Sequence, residues 1–261
     1  MTVKLGLALS GGGARGFAHL GVLKVLVEND IPIDAIAGTS AGAIVGGAFA
    51  CGMSIDEILA MAAKVGWTNM TRPSLSPLGA LSNAPMGAFL TRELPVNKFE
   101  ELKIPFAAVA FELENSCEIV FKDKGDLILA ICASCAVPGV FAPVKGPTGT
   151  LLIDGGITTP LPVNVAREMG ADLVIAVDVL SSGNMYSHSP KTAAGMMIRS
   201  AMTVVRQLAK EQHQFADVLI EPKIAHIRLD QIKKREELRR LGEEAAREKV
   251  PEIQKLLSRD G

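Results

Sequence analysis

Short apolar runs alternate with longer helix-like stretches along most of this chain. The runs that predict strands lie at residues 3–10, 33–39, 105–111, 117–121, 150–153, 172–179 and 217–220. Between them, helices are predicted over residues 17–29, 41–51, 54–65, 125–136, 163–169 and 192–215. Strands that alternate with helices are typical of βαβ units, and continuously apolar strands indicate burial on both faces. The pattern therefore predicts an α/β fold of three layers, with a largely parallel central sheet and helices on both faces.

The segment 67–93 interrupts this alternation. It holds three prolines and scattered apolar residues without a clear period. We expect an irregular or partly helical excursion from the core. Two interpretations stay open for it: a lid over a catalytic face, or a surface subdomain packed on the core.

The segment 230–257 is rich in charges of both signs and carries a thin apolar stripe. The residues of the stripe are Ile232, Leu238, Leu241, Ala245, Ile253 and Leu256. Opposite charges one helical turn apart favour a solvated helix that docks on the domain, and Pro251 predicts a break in that helix. A membrane-surface helix is the alternative, but its polar face would be more purely basic.

Composition limits the class of protein. Of the 261 residues, 48% are apolar and 21% are charged, with a net charge of −1, which is ordinary for a globular domain. We expect one domain over residues 1–261, with its core at about 3–225. Weak net charge and few aromatic rings offer nucleic acid little to bind. No apolar run approaches the ~20 residues of a membrane span and no export signal is visible, which predicts a cytoplasmic location.

Four cysteines are too few and too irregularly spaced for a disulfide scaffold. Cys132 and Cys135 form a C-x-x-C motif, but no second ligand pair accompanies it, and the motif closes an apolar helical run. This position favours buried thiols over a zinc or redox site.

A glycine-rich loop follows the first predicted strand, with the sequence SGGGARG from Ser10 to Gly16. Glycine at this density lets another group approach the backbone closely. Exposed N–H groups there suit an oxyanion hole. The spacing also matches a dinucleotide fingerprint, and Asp30 and Asp34 stand near the position of its ribose-binding acid.

The pattern G-x-S-x-G occurs at Gly38, Ser40 and Gly42, between a predicted strand and a predicted helix. This is the context of a nucleophile elbow, in which the serine Oγ projects from a tight turn. A glycine-rich turn with a capping serine explains the same residues without catalysis.

Asp154 ends an apolar strand and precedes Gly155 and Gly156. Because sites in parallel α/β sheets gather at the carboxyl ends of strands, we expect Asp154 to lie near Ser40. A carboxylate there can act as the base that a serine nucleophile needs. An Asx turn explains the same Asp-Gly-Gly without a function.

The chain has four histidines, His19, His188, His213 and His226. The order Ser…Asp…His of an α/β-hydrolase is met by Ser40, Asp154 and either His188 or His213, although that nucleophile normally follows more strands. His19 lies just after the glycine loop and is interpreted as a packing or capping residue.

Together these motifs resemble the patatin-like phospholipases, and in particular their compact bacterial members. The matching stretches are 11–16 (GGGARG), 38–42 (GTSAG), 133–143 (ASCAVPGVFAP) and 154–156 (DGG). The resemblance spans roughly residues 3–225 and is least informative over 67–93. It implies a lipid acyl hydrolase with a Ser–Asp dyad in place of a triad. The dinucleotide interpretation leaves the serine elbow and the Asp-Gly-Gly unexplained.

The resemblance also implies roles for individual residues. Ser40 attacks an ester carbonyl and Asp154 takes its proton. An oxyanion hole is implied at Gly11, Gly12 and Gly13, with Arg15 adding positive charge or bracing the loop. The remaining motif glycines are Gly16, Gly38, Gly42, Gly155 and Gly156.

The expected substrate is a phospholipid, a lysophospholipid or another fatty acyl ester. No cofactor or metal is expected, since no carboxylate-rich calcium loop is visible. Transient contact with a membrane surface through 67–93 stays open, and the oligomeric state is not determined. Two alternatives remain: an acyltransferase on the same site, and a regulatory protein that binds acyl lipids without catalysis.

Overall fold

A sheet of eight strands organises the fold in the computed structural model, which describes residues 3–182 and 189–259. The strands in chain order are β1 (Leu5–Leu9), β2 (Ala35–Thr39), β3 (Arg72–Pro73), β4 (Gly79–Ser82), β5 (Phe106–Glu112), β6 (Cys117–Phe121), β7 (Gly139–Phe141), β8 (Val144–Lys145), β9 (Leu151–Asp154), β10 (Leu173–Val177) and β11 (Val218–Ile220). The helices are α1 (Phe17–Glu28), α2 (Ala41–Ala50), α3 (Ile55–Ala63), α4 (Trp67–Met70), α5 (Ala84–Glu93), α6 (Leu127–Ser134), α7 (Val163–Glu168), α8 (Ala193–Gln212) and α9 (Arg235–Arg259).

The central sheet is mixed but mostly parallel, which confirms the predicted fold class. Its hydrogen-bonded path runs β11-β10-β1-β2-β5-β9-β8, and β6 also pairs with β5. Strands β11, β10, β1, β2 and β5 are parallel to one another, whereas β6 and β9 are antiparallel to β5. Alternation along β1 sends Leu7 and Leu9 to one apolar cluster and Ala8 to another. The two clusters are the cores that join helices to the two faces of the sheet.

Strands β2 and β9 meet end to end along one edge of β5. Ala108 and Val109 of β5 pair with β2, and the next residue, Ala110, pairs with Asp154 of β9. All three residues also pair with β6, which therefore occupies the other edge of β5. This corrects the expectation that parallel strand ends bring Asp154 to Ser40. Asp154 reaches it because β9 runs antiparallel to β5 and stops where β2 stops.

The segment 67–93 is more regular than its sequence predicts. It forms α4, β3, β4 and α5, and β4 pairs with β3 and with β7 to make a second, three-stranded sheet. Strands of two to four residues have no measurable alternation, and β3 is exposed, so the sequence carries little signal for them.

Helix α9 runs without a break through Pro251, which corrects the predicted break. Pro251 is exposed, so the carbonyl that loses its hydrogen bond there faces water. The apolar stripe of α9 is buried in the main core through Leu238, Val250 and Ile253. The helix therefore has no free apolar face for a membrane surface. Among the described residues, no helix combines the length and the apolar character needed to cross a bilayer.

Helices α1 and α9 cross at two glycines, which explains how a highly charged helix packs so closely. A Cβ at Gly21 would lie 1.9 Å from the carbonyl oxygen of Arg239, and one at Gly242 would lie 2.0 Å from that of Ala18. Both obstacles are backbone atoms, so neither can move without shifting a helix. The close crossing is a tertiary use of glycine that helix propensity alone disfavours.

Replacing Gly21 with alanine should therefore destabilise the domain, although alanine is the better helix former. We expect the free energy of unfolding to fall by about 2–3 kcal/mol, because α1 and α9 must separate. Urea unfolding measures this change. The matched control is Gly66→Ala, since a Cβ there meets nothing within 4 Å and should change stability by less than about 0.5 kcal/mol. Equal stability of the two variants would contradict the close crossing.

Candidate active site

Ser40 stands on a strained turn between β2 and α2. Its backbone has φ 53° and ψ −120°, a conformation that residues with a side chain rarely adopt. The turn is possible because its neighbours lack side chains. A Cβ at Gly42 would lie 2.2 Å from the carbonyl oxygen of Leu9, and one at Gly38 would lie 2.6 Å from that of Gly42. The predicted elbow geometry is thus present at Ser40.

The amide of Ser40 is held by a residue that the sequence analysis did not single out. The Ser40 N–H donates to Ser134 Oγ at 2.8 Å, and Ser134 is fully buried at the end of α6. The following residue, Cys135, is buried with its thiol against the Ser40 side chain. The only sequence signal for this contact was the small-residue stretch 133–143 that carries the resemblance.

Asp154 interacts with the Ser40 side chain from the facing end of β9. Its Oδ1 accepts the N–H of Gly156 at 2.8 Å, and its own N–H donates to the Ala136 carbonyl at 3.0 Å. The next residue must be glycine, because a Cβ at Gly155 would lie 2.4 Å from the Val109 oxygen. The turn therefore orients the carboxyl group toward the serine.

Burial dominates the electrostatics of Asp154. Desolvation raises the pKa of its carboxyl group to about 6, and the hydrogen bonds from Ser40 and Gly156 oppose that shift only partly. A carboxylate with a pKa near 6 is a stronger base than an exposed aspartate. It is still ionised at neutral pH, which is the state that a base requires.

The glycine loop lies directly beside Ser40. A Cβ at Gly11 would be 3.4 Å from the Ser40 Cβ. However, the Gly11 N–H already donates to the Pro160 carbonyl at 2.9 Å, which corrects its expected role as an oxyanion donor. Among the described residues, the N–H groups of Gly12 and Gly13 have no partner outside the turn that they open. These two amides are the available donors of the loop.

Arg15 braces the loop and does not serve as a donor in the oxyanion hole. It is fully buried, with Nε donating to the Ile227 carbonyl at 2.7 Å and Nη1 to the Ser182 carbonyl at 3.0 Å. Burial, and after it the charge of Arg206, lowers the pKa of Arg15 to about 10. At Gly16, a Cβ would lie 2.6 Å from the Ala41 Cβ, so this glycine lets the loop pack on α2.

The described histidines do not reach the Ser40 and Asp154 pair. His19 is fully buried and bonds to the Ser10 carbonyl at 2.9 Å, and burial lowers its pKa to about 4. His213 pairs with Asp178 at 2.7 Å, and His226 pairs with Glu237 at 2.9 Å. His188 lies outside the described residues. A triad through His213 is therefore wrong, and His19 is the packing residue that was predicted.

The dinucleotide interpretation is also wrong in its geometry. Asp34 Oδ2 accepts the N–H of Leu5 at 2.7 Å, at the amino end of β1. Asp30 follows α1 at the same edge of the sheet. The glycine loop lies at the opposite, carboxyl edge. Neither acid can bind the ribose of a nucleotide whose phosphates sit on the loop.

Two further groups bear on metal binding. Cys132 and Cys135 are buried thiols, and desolvation raises the pKa of both. Ligand atoms of Asp178, His213 and Glu221 lie within 4.8 Å of one another. In that group His213 already forms an ion pair with Asp178, whose Oδ1 accepts two backbone N–H groups.

The fold and the site define a three-layer α/β protein with a strained serine at a strand-to-helix turn and a buried carboxyl group facing it. The chain belongs to the patatin-like phospholipase family, whose model matches residues 7–167. Membership supports lipid ester hydrolysis in general.

Several relatives share this family. An uncharacterized NTE family protein of Mycobacterium tuberculosis is 40% identical over 182 residues, which cover 69% of this chain and 50% of that protein. Patatin-like phospholipase domain-containing protein 7 of Mus musculus is 36% identical over 67% of this chain and 13% of its own length. The chain thus spans half or less of the length of these relatives.

A solved structure shares the fold at low sequence identity. VipD from Legionella pneumophila superposes with a TM-score of 0.65 and 14% identity, over 95% of this chain and 66% of VipD. At that identity the likeness concerns the architecture alone.

Proposed function

We propose that this protein hydrolyses the carboxyl ester bonds of phospholipids, lysophospholipids or other fatty acyl esters. Ser40 is the nucleophile, Asp154 is the general base, and the amides of Gly12 and Gly13 form the oxyanion hole. The observation that carries the proposal is the end-to-end meeting of β2 and β9, which sets a buried carboxyl group against a serine on a strained turn.

The reaction follows from these positions. Asp154 accepts the Ser40 proton as Oγ attacks the ester carbonyl carbon, and the negative charge develops on the carbonyl oxygen. The amides of Gly12 and Gly13, in the loop that passes Ser40 at Gly11, are the donors proposed for that charge, and one such donor is worth about 3–4 kcal/mol of barrier. The proton then passes to the leaving alcohol. Water attacks the acyl-serine by the same route and releases the fatty acid.

A series of p-nitrophenyl esters of increasing chain length tests the proposed activity. We expect hydrolysis that persists in EDTA, because no step needs a metal, with an optimum at the chain length that fills the acyl site. Adding an excess of a simple alcohol distinguishes hydrolysis from acyl transfer. Ester products in place of free acid would favour a transferase, and failure to hydrolyse every ester would contradict the proposal.

The pH dependence of the rate should show an acid limb near pH 6. The base is active as a carboxylate, and burial raises the pKa of Asp154 to about 6. The rate should therefore fall about tenfold per pH unit below that value and stay level just above it. His213 is the control, since Asp178 raises its pKa above the ordinary value for histidine. If the acid limb disappears in His213→Asn, the titrating group is His213 and not Asp154, which would contradict the proposed base.

A further inference from the structure

Helix α8 exposes apolar side chains on its outer face. Its inner face packs on the sheet through Ala209, which is buried, and through Met202 and Val205. The outer face leaves Met196, Met197 and Val204 exposed, with Met197 at 70% and Val204 at 58%. Met196, Met197 and Val204 form an apolar patch of the kind that marks an interaction site.

The charges beside this patch are mostly positive. Residues 189–212 contain four basic residues, Lys191, Arg199, Arg206 and Lys210, and one acid, Glu211 in the last turn of α8. This local excess of positive charge contrasts with the net charge of −1 of the whole chain. The exposed lysines stand before the first turn of α8 and in its last turn, so they flank the apolar patch.

The helix also borders the candidate active site. It packs against the short helical turn Gly155–Ile157, which directly follows Asp154. Ile157 in that turn is itself 42% exposed. A surface bound by α8 would therefore lie beside the entrance to Ser40.

We propose that the outer face of α8 docks the protein on the surface of an anionic phospholipid membrane, so that the bilayer supplies substrate to Ser40. The supply of substrate to Ser40 rests on the proposed function, whereas binding of α8 to the membrane does not. Apolar side chains flanked by a net positive charge suit an interface of anionic headgroups over hydrocarbon. A second copy of the chain fits less well, because two such helices would bring like charges together.

Sedimentation with vesicles tests the docking surface. The protein carries Ser40→Ala so that it cannot consume the lipid, and the vesicles are phosphatidylcholine with or without phosphatidylglycerol. We expect binding that needs phosphatidylglycerol and weakens with salt. Met197→Glu combined with Val204→Glu should reduce it roughly tenfold or more, since two apolar contacts are lost and two negative charges are added.

The matched control is Val27→Glu. Val27 is 43% exposed near the end of α1, at the edge of the sheet away from Ser40, and its replacement should leave vesicle binding unchanged. Light scattering reports the oligomeric state of each variant. In a background with Ser40 intact, the α8 double variant should hydrolyse a soluble short-chain ester at the parental rate. If the parent with Ser40 intact hydrolyses no ester, the proposed function is contradicted. The docking surface is then still decided by the vesicle result.

Four results would overturn the proposal. The first is a parent protein that does not sediment with anionic vesicles. The second is an α8 double variant that binds vesicles as the parent does. The third is vesicle binding that is lost instead when Leu75 and Leu78, in the segment 67–93, are replaced with glutamate. The fourth is a parent that forms a dimer and binds no vesicles, with an α8 double variant that is monomeric; this would assign the face to a second copy.

Discussion

Replacing Ser40 with alanine should lower the rate of ester hydrolysis by roughly a thousandfold or more. The hydroxyl oxygen is the atom that forms the acyl-enzyme, and the buried groups around it offer no other nucleophile of comparable reactivity. The Cys135 thiol nearby is buried, and burial raises its pKa well above the ordinary value. Side-by-side assays of the two proteins on p-nitrophenyl esters measure the loss.

Two companion variants separate chemistry from folding. Ser258→Ala removes an exposed hydroxyl on α9 and should leave the rate unchanged. Ser40→Gly should be as inactive as Ser40→Ala but more stable by about 1 kcal/mol, because glycine adopts a φ of 53° without strain. Labelling by a serine-directed phosphonate should occur in the parent and be absent from both Ser40 variants. Full activity after loss of Ser40 would refute the proposed mechanism.

Replacing Asp154 with asparagine should have two opposite effects. Hydrolysis should fall by roughly a thousandfold, because an amide cannot accept the Ser40 proton. The fold should become more stable at neutral pH, because the variant no longer buries an ionised carboxyl group. A residue that matters only for structure would not combine inactivity with a gain in stability.

The sign of the stability effect depends on pH. The folded pKa of Asp154 is about 6, above the ordinary value of 3.8, so folding favours the protonated form. The stability that this group contributes is present below about pH 4 and is lost as the pH rises through 6. This difference between the folded and the ordinary pKa corresponds to about 3 kcal/mol. Asp154→Asn should therefore raise the melting temperature by about 5 °C at pH 8 and by much less at pH 4.

Thermal melts of both proteins across this pH range measure the effect. Glu112→Gln is a useful control, since Glu112 is also largely buried on β5 but lies away from Ser40 and bonds to Asn115 and Thr150. Its variant measures what an amide in place of a buried carboxyl group on β5 does to the melting temperature without touching Ser40. An equal melting difference for Asp154→Asn at both pH values would contradict the raised pKa.

Much of the architecture could be predicted from local pattern. The seven predicted strands and six predicted helices all occur, because each shows an apolar run or a helical period. The strands that were missed, β3, β4, β7 and β8, have two to four residues each and show neither signal. The continuity of α9 through Pro251 was also missed, because it depends on which side of the helix faces water.

The sequence by itself determined the chemical parts of this protein: a serine between glycines after one strand, an acid before two glycines after another, and the family to which both belong. Local backbone preference and residue type suffice for these. Only the tertiary structure decided how the parts meet. Pairing register brings β9 against the end of β2, the Pro160 carbonyl takes up the Gly11 amide, and the outer face of α8 is left in solvent. Each depends on contacts between residues far apart in the chain, on which local propensity has no bearing.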